Sequence, residues 1–367
     1  MTFKNRRNSY VPALLLGALA LFLFGNVVTA QRPKLPDAPP PPRFKPKPTP
    51  TPTPIRPEDI DVVRVNSNLV MVPVSVVDSK GEPIRGLQIT DFRLEEQSRA
   101  QEIAQIGNPD EVPLEIAILI DVSGSTNARF NFEKEAAASF LKSVLKPADR
   151  ATVYMIDRSP VLKLTSAKAD DASTGLRAIE PAADKGPTAF FDTVIEAAQY
   201  LTKNTPSQHR KVVLVISDGV DNFSDRVKKT IGATRDEQEA VGAVARERIN
   251  DRVLAEVLRE VQKADAVFYS INPAGETMHL NIITRRGQEG MRQIADATGG
   301  NAFVPDRAED LPPVFKQIAA ELRGQYLLQY YSNSQDAGTG FRKIAVTVPA
   351  RNDIRVRARQ GYYPKAR

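Results

Sequence analysis

The chain has 367 residues, 41% of them hydrophobic, a formal net charge of +6 and no cysteine. That length allows two domains with extensions and a sizeable core. The lack of cysteine excludes disulfides, thiolate metal sites, a cysteine nucleophile and a lipoprotein anchor. With only His209 and His279 present, His-rich metal sites and most Ser-His-Asp schemes are not expected, so chemistry is expected to be carried by oxygen. Part of the basic excess lies in Lys4, Arg6 and Arg7 and in a proline-rich tract. No basic helix or aromatic ladder accompanies it, so nucleic acid is not an expected partner.

Residues 1–30 combine a basic start, an apolar stretch from Val11 to Val28 and the small-residue ending Val28-Thr29-Ala30, the pattern of a secretory signal peptide. An uncleaved anchor is the alternative and the only membrane attachment expected. Either way the remainder is expected outside the cytoplasm: periplasmic, in the cell envelope or secreted. Residues 31–58 include Pro39-Pro40-Pro41-Pro42 and Thr49-Pro50-Thr51-Pro52-Thr53-Pro54. Such a linker favours extended polyproline II, reaching on the order of 80 Å at roughly 3 Å per residue.

Residues 59–112 read as a small β module, with Leu69 to Val77 as its clearest strand and Asp78-Ser79-Lys80-Gly81 as a turn. Asp91 and the Glu95-Glu96 pair are expected in solvated turns. From 113 to 323 strands and helices alternate. Ile116–Asp121, Thr152–Ile156, Val212–Ile216 and Val267–Ile271 are apolar along their length, as strands covered on both faces are. The intervening helices place Phe132, Ala136, Ala137, Phe140, Leu141, Val144 and Leu145 on one face of the first, and Phe191, Ile195, Ala198 and Leu201 on one face of the second. The expected class is therefore α/β, a doubly wound, mainly parallel sheet. Asp221 to Asp251 reads as a polar insertion, either a solvated loop or an element overhanging the sheet edge. Residues 324–367 return to alternation and are expected to pair with the N-terminal module as one small sandwich. Arg355, Arg357 and Arg359 share a strand face there, expected to be solvated.

The strand Ile116–Ile120 ends in Asp121-Val122-Ser123-Gly124-Ser125. An acid followed by hydroxyls at a strand's carboxyl end is a set of hard oxygen donors where open α/β sheets bind their ligands. Two later loops return to the same edge: Gly186-Pro187-Thr188-Ala189 opens a helix, and Ser217-Asp218-Gly219 closes a strand. Asp121, Ser123, Ser125, Thr188 and Asp218 are thus expected to surround one divalent cation, Mg²⁺ or Mn²⁺ rather than Ca²⁺, since a few short neutral ligands suit an ion that keeps its waters. An EF-hand fails because its sharp-turn position is Thr126 rather than Gly and its bidentate position is Phe132 rather than Glu. A serine hydrolase lacks the G-x-S-x-G context and a base.

These residues resemble the von Willebrand factor type A domain: Asp121-x-Ser123-x-Ser125, Thr188 and Asp218 match the five positions of its metal-ion-dependent adhesion site. The flanks Val76–Gly81, Tyr326-Leu327-Leu328 and Arg357–Tyr363 are similar to bacterial proteins with a related domain. The resemblance implies that Ser123, Ser125 and Thr188 hold the ion directly and that Asp121 and Asp218 act through water. It further implies that the ion captures an Asp or Glu of a protein ligand and that binding shifts the domain's last helix. Binding rather than turnover is the expected activity. The alternatives are a metal-dependent hydrolase and a structural envelope protein whose ion stabilises the fold. Oligomeric state is not legible.

Overall fold

Apolar, β-branched runs covered on both faces become interior strands of a parallel sheet. The computed structural model describes residues 69–123, 127–182, 186–231, 242–275, 282–334 and 338–364. The expectations for the leader, the proline-rich tract, Ser125 and His279 lie outside these residues, as does the middle of the polar insertion, residues 232–241. All described residues belong to one compact unit, Val65–Arg367.

The apolar runs form β5 (Leu114–Asp121), β6 (Arg150–Ile156), β8 (Arg210–Ile216) and β9 (Ala266–Ile271). With β7 (Pro160–Ala167) and β10 (Asn301–Phe303) they make a six-stranded sheet in the order β10-β9-β8-β5-β6-β7. All its pairings are parallel except that of β6 with the edge strand β7. The expected α/β class is therefore observed. β7 and the helix α2 (Ala169–Arg177) extend the alternation read from the sequence; β7 is half exposed and so has no continuous apolar run to announce it.

Side chains alternate across β5. Ile116, Ile118 and Ile120 pack with α1 (Asn127–Val144), α2 and α7 (Leu311–Gly324) on one face. Ala117 and Leu119 pack with α3 (Phe190–Asn204), α5 (Ala243–Lys263) and α6 (Ile282–Thr298) on the other. The expectation for Phe132 is corrected: it is 38% exposed, whereas Phe130 is fully buried. Phe130 lies two turns before Ala137 and shares its face, while Phe132 is five residues from it, roughly 140° around the helix. The polar insertion is helical at both described ends, as the short α4 (Asp225–Ile231) and as α5.

The flanking segments form two antiparallel sheets. One runs β13 (Arg355–Ala358), β1 (Leu69–Val77), β11 (Tyr326–Tyr331), β4 (Ile103–Gly107). The other runs β14 (Gly361–Tyr362), β12 (Arg342–Thr347), β2 (Arg93–Glu96), β3 (Arg99–Gln101). Val72, Val74, Leu94, Leu328, Tyr330 and Ile344 fill the core they share.

Two expectations for charged residues are overturned here. Glu96 is buried in β2, where it accepts hydrogen bonds from Tyr330 Oη at 2.7 Å, Ser332 Oγ at 2.8 Å and Tyr362 Oη at 3.2 Å, with Arg342 at 3.4 Å. It sits between sheets because β12 and β11 bring partners that local spacing does not reveal. Arg357 and Arg359 likewise face the α/β unit rather than water. Arg357 lies 2.6 Å from the buried Glu321 of α7, and Arg359 pairs with Asp265 and donates to Met71 O at 2.8 Å. The seam is tight at Gly299, where φ is +84° and a Cβ would stand 2.7 Å from the backbone of Ala358 and Arg359. Among the described residues no helix is long and apolar enough to cross a membrane.

Candidate metal centre

Parallel strands deliver their following loops to a single sheet edge. β5 and β8 are neighbours, so Asp121 at the end of β5 meets the Ser217-Asp218-Gly219 loop that leaves β8. The loop before α3 is tied to the same edge by backbone bonds, Ala182 N to Val122 O at 3.0 Å and Gly186 N to Ser123 O at 3.1 Å.

The side chains form a continuous hydrogen-bonded chain. Thr188 Oγ1 donates to Ser123 Oγ at 2.8 Å, and Ser123 Oγ donates to Asp121 Oδ1 at 2.6 Å. The Ser123 N–H reaches the same carboxylate oxygen at 3.0 Å, and Ser217 Oγ donates to Asp121 Oδ2 at 2.7 Å. Asp121, Ser123 and Thr188 are thereby brought into direct contact. Asp218 stands beside them without a direct bond to the three; its Oδ1 accepts the Val220 N–H at 3.0 Å. Burial pushes the Asp121 carboxyl above its usual range against the hydrogen bonds from Ser123 and Ser217, and the charge of Asp218 adds to the rise. Among the described residues no Lys, Arg or His makes an ion pair with Asp121 or Asp218.

This donor set fits a hard divalent cation. Neighbouring ligands in an octahedral shell of about 2.1 Å radius stand about 3 Å apart, and the two hydroxyl oxygens of Ser123 and Thr188 are 2.8 Å apart. Ser123 directs its proton to Asp121 and accepts from Thr188, which leaves one lone pair for a cation. Among the described residues no group of three or more His, Cys, Asp or Glu could hold an ion.

Several supporting residues carry no signal in the local motifs. Asn222 clasps Thr188 from both sides, its Oδ1 accepting the Thr188 N–H at 2.7 Å and its N–H donating to Thr188 O at 3.1 Å. Asp221 accepts the Phe191 N–H at 2.9 Å at the start of α3 and also binds the Ser224 hydroxyl, so the turn after Asp218 is pinned behind Thr188. These residues open the stretch read as a polar insertion, and their pairing over 30 or more positions hides them from local spacing. Gly219 has φ +76° and rests on Gly287 of α6, where a Cβ on either would come within 2.6 Å of the other's backbone. On the far side of this loop a cavity of about 260 Å³ is lined by Phe191, Leu254, Ile283, Arg286 and Met291.

A family model for the von Willebrand factor type A domain matches residues 116–221. No curated protein matches the chain. Solved structures of similar fold include an aerotolerance-related membrane protein from Bacteroides fragilis, 16% identical over 57% of this chain and 98% of that one, with a TM-score of 0.39. The PilB minor pilin of Streptococcus sanguinis is 11% identical over 58% of this chain and 62% of that one, with a TM-score of 0.41. Proximal thread matrix protein 1 of the mussel byssus, solved with its own zinc-occupied MIDAS motif, is 15% identical over 61% of this chain and 48% of that one, with a TM-score of 0.41.

Proposed function

We propose, from the match of residues 116–221 to the model of the von Willebrand factor type A domain, that the chain is an extracytoplasmic, metal-ion-dependent protein-binding module. In this reading Ser123, Ser125 and Thr188 hold a divalent cation, with Mg²⁺ the best match to few, neutral ligands, and Asp121 and Asp218 hold its waters. The bound cation offers a coordination position to a carboxylate oxygen of a partner's Asp or Glu. The observation that carries the reading is the chain Thr188–Ser123–Asp121–Ser217, a half-buried carboxylate surrounded by hydroxyls and lacking an ion pair among the described residues. Two protein carboxylates roughly neutralise a divalent ion, and a partner's carboxylate completes a shell that the hydroxyls leave weakly donating.

Binding, not turnover, is the activity proposed. A nucleophilic serine needs a base such as histidine. His209 lies at the start of β8, 3.7 Å from Glu115 at the opposite end of β5 from Asp121. The basic, apolar leader of residues 1–30 and the proline-rich tract that follows support display beyond the cytoplasm.

Affinity capture from an envelope extract tests this reading. A partner retained in Mg²⁺ and released by chelator, and not retained by a folded Asp121→Ala variant, is the expected result. Retention in chelator and by the variant would overturn it. Turnover of a phosphoester or peptide abolished by Ser123→Ala would favour a hydrolase. A melting temperature that falls on chelation with no partner released would favour a structural ion.

A further inference from the structure

We propose that the surface beside Thr188 is an anion subsite, built by Arg158, Lys228 and Phe223, which takes a second acidic side chain of the same protein ligand. The proposal rests on the ion-dependent reading above and narrows its partner to an acidic segment rather than an isolated carboxylate.

Backbone bonds put the three residues at the metal centre's margin. The Phe223 N–H donates to Thr188 O at 3.1 Å, and Ala189 N donates to Asp157 O at 2.8 Å, which brings the turn carrying Arg158 against the start of α3. Both cations then converge on one ring. The Arg158 guanidinium lies 5.7 Å from the Phe223 ring centroid, and Lys228 Nζ lies over the same ring. A ring face holds a cation while leaving its remaining N–H groups available.

Neither cation has an ion pair among the described residues, unlike Arg226 on the same helix as Lys228. Arg226 is bound to Asp192 at 2.8 Å and Glu256 at 3.0 Å. The nearby acids are largely committed elsewhere. Asp192 accepts from Arg226 and from the Asp225 N–H, Asp221 from Phe191 and Ser224, and Asp157 from the Arg158 N–H. Asp225 is exposed on the Lys228 helix and is the nearby acid whose side chain has no such bond among the described residues. Burial holds the Lys228 ammonium below its ordinary range against the charges of Asp225, Asp192 and Asp221, with Arg158 a smaller contribution in the same direction as burial.

Two synthetic peptides on a Gly/Ser scaffold test the subsite, one with a single Asp and one with the same Asp followed by two Glu. Each is titrated, in Mg²⁺ and in chelator, against the wild-type chain and against Arg158→Gln/Lys228→Gln. The acidic peptide is expected to bind the wild type about tenfold tighter, as two exposed ionic contacts allow. The double variant is expected to lose that preference while keeping its affinity for Mg²⁺ and for the single-Asp peptide. A preference that persists in the double variant, or Mg²⁺-dependent binding of both peptides with equal affinity to the wild type, overturns the subsite and leaves the ion reading standing. Absence of Mg²⁺-dependent binding of either peptide overturns both. Arg158 is exposed, so Arg158→Gln alone provides a second variant of unchanged fold, with an intermediate loss of preference expected.

Discussion

Glu96, buried, and Asp121, half-buried, are both acids set among hydroxyls, and they meet the cost of a desolvated charge in opposite ways. Glu96 is closed: two tyrosines, a serine and Arg342 surround its carboxylate inside the sandwich. Asp121 is open: Ser123 and Ser217 donate to it, Asp218 adds like charge, and no ion pair reaches it among the described residues. Burying a charge is costly unless it is paired. The sandwich supplies its counterion from its own chain, whereas in the proposed function the sheet edge receives one from outside. Local composition does not separate the two cases; what separates them is whether a cation from another strand faces the carboxylate.

Removing the internal counterion should have the largest effect. Arg342→Met leaves Glu96 buried without its cation and is expected to lower stability by about 3–5 kcal/mol, measured by denaturant unfolding, with Mg²⁺ affinity unchanged. A matching loss of Mg²⁺ affinity would show that the two regions are not independent. Supplying the external counterion comes next. Mg²⁺ at a hundredfold excess over its dissociation constant should stabilise the fold by about 2.7 kcal/mol, a gain absent in Asp121→Ala and in chelator.

Smaller effects test how the open site is held. In Gly287→Ala a Cβ would strike Gly219 and the Asp218 carbonyl at 2.6–2.9 Å, whereas at Gly290 the nearest atom is a Leu254 methyl at 3.4 Å. Gly287→Ala is therefore expected to cost about 1–3 kcal/mol and to weaken Mg²⁺ binding. Gly290→Ala should leave binding unchanged and stabilise the helix by up to about 1 kcal/mol. Calorimetric titration of both variants gives the comparison. Asn222→Ala removes a clasp on Thr188 and should cost about 1 kcal/mol of Mg²⁺ binding, roughly a fivefold weaker affinity.

The sheet was legible because Ile116–Ile120 and Val212–Ile216 are continuous apolar runs, and burial on both faces has that signature. Asp121, Ser123, Thr188 and Asp218 were legible because topology carries strand ends to one edge, so their positions in the chain imply proximity. β7 was not, since a half-exposed edge strand needs no apolar run. Asn222 and Asp221 were hidden because their partners lie 34 and 30 positions away. The same reason accounts for Glu96, whose tyrosine partners are 234 and 266 residues distant, and for Arg357, which meets Glu321 across the seam. Periodicity reports which face is buried; it does not report what stands opposite.

Calorimetric titration of Mg²⁺ into the wild-type chain and into Asp121→Ala tests the central claim most directly. The account predicts one saturable site in the wild type and none in the variant, with the variant as well folded as the wild type in chelator. Equal binding by the two proteins, or no binding by the wild type at millimolar Mg²⁺, would contradict it.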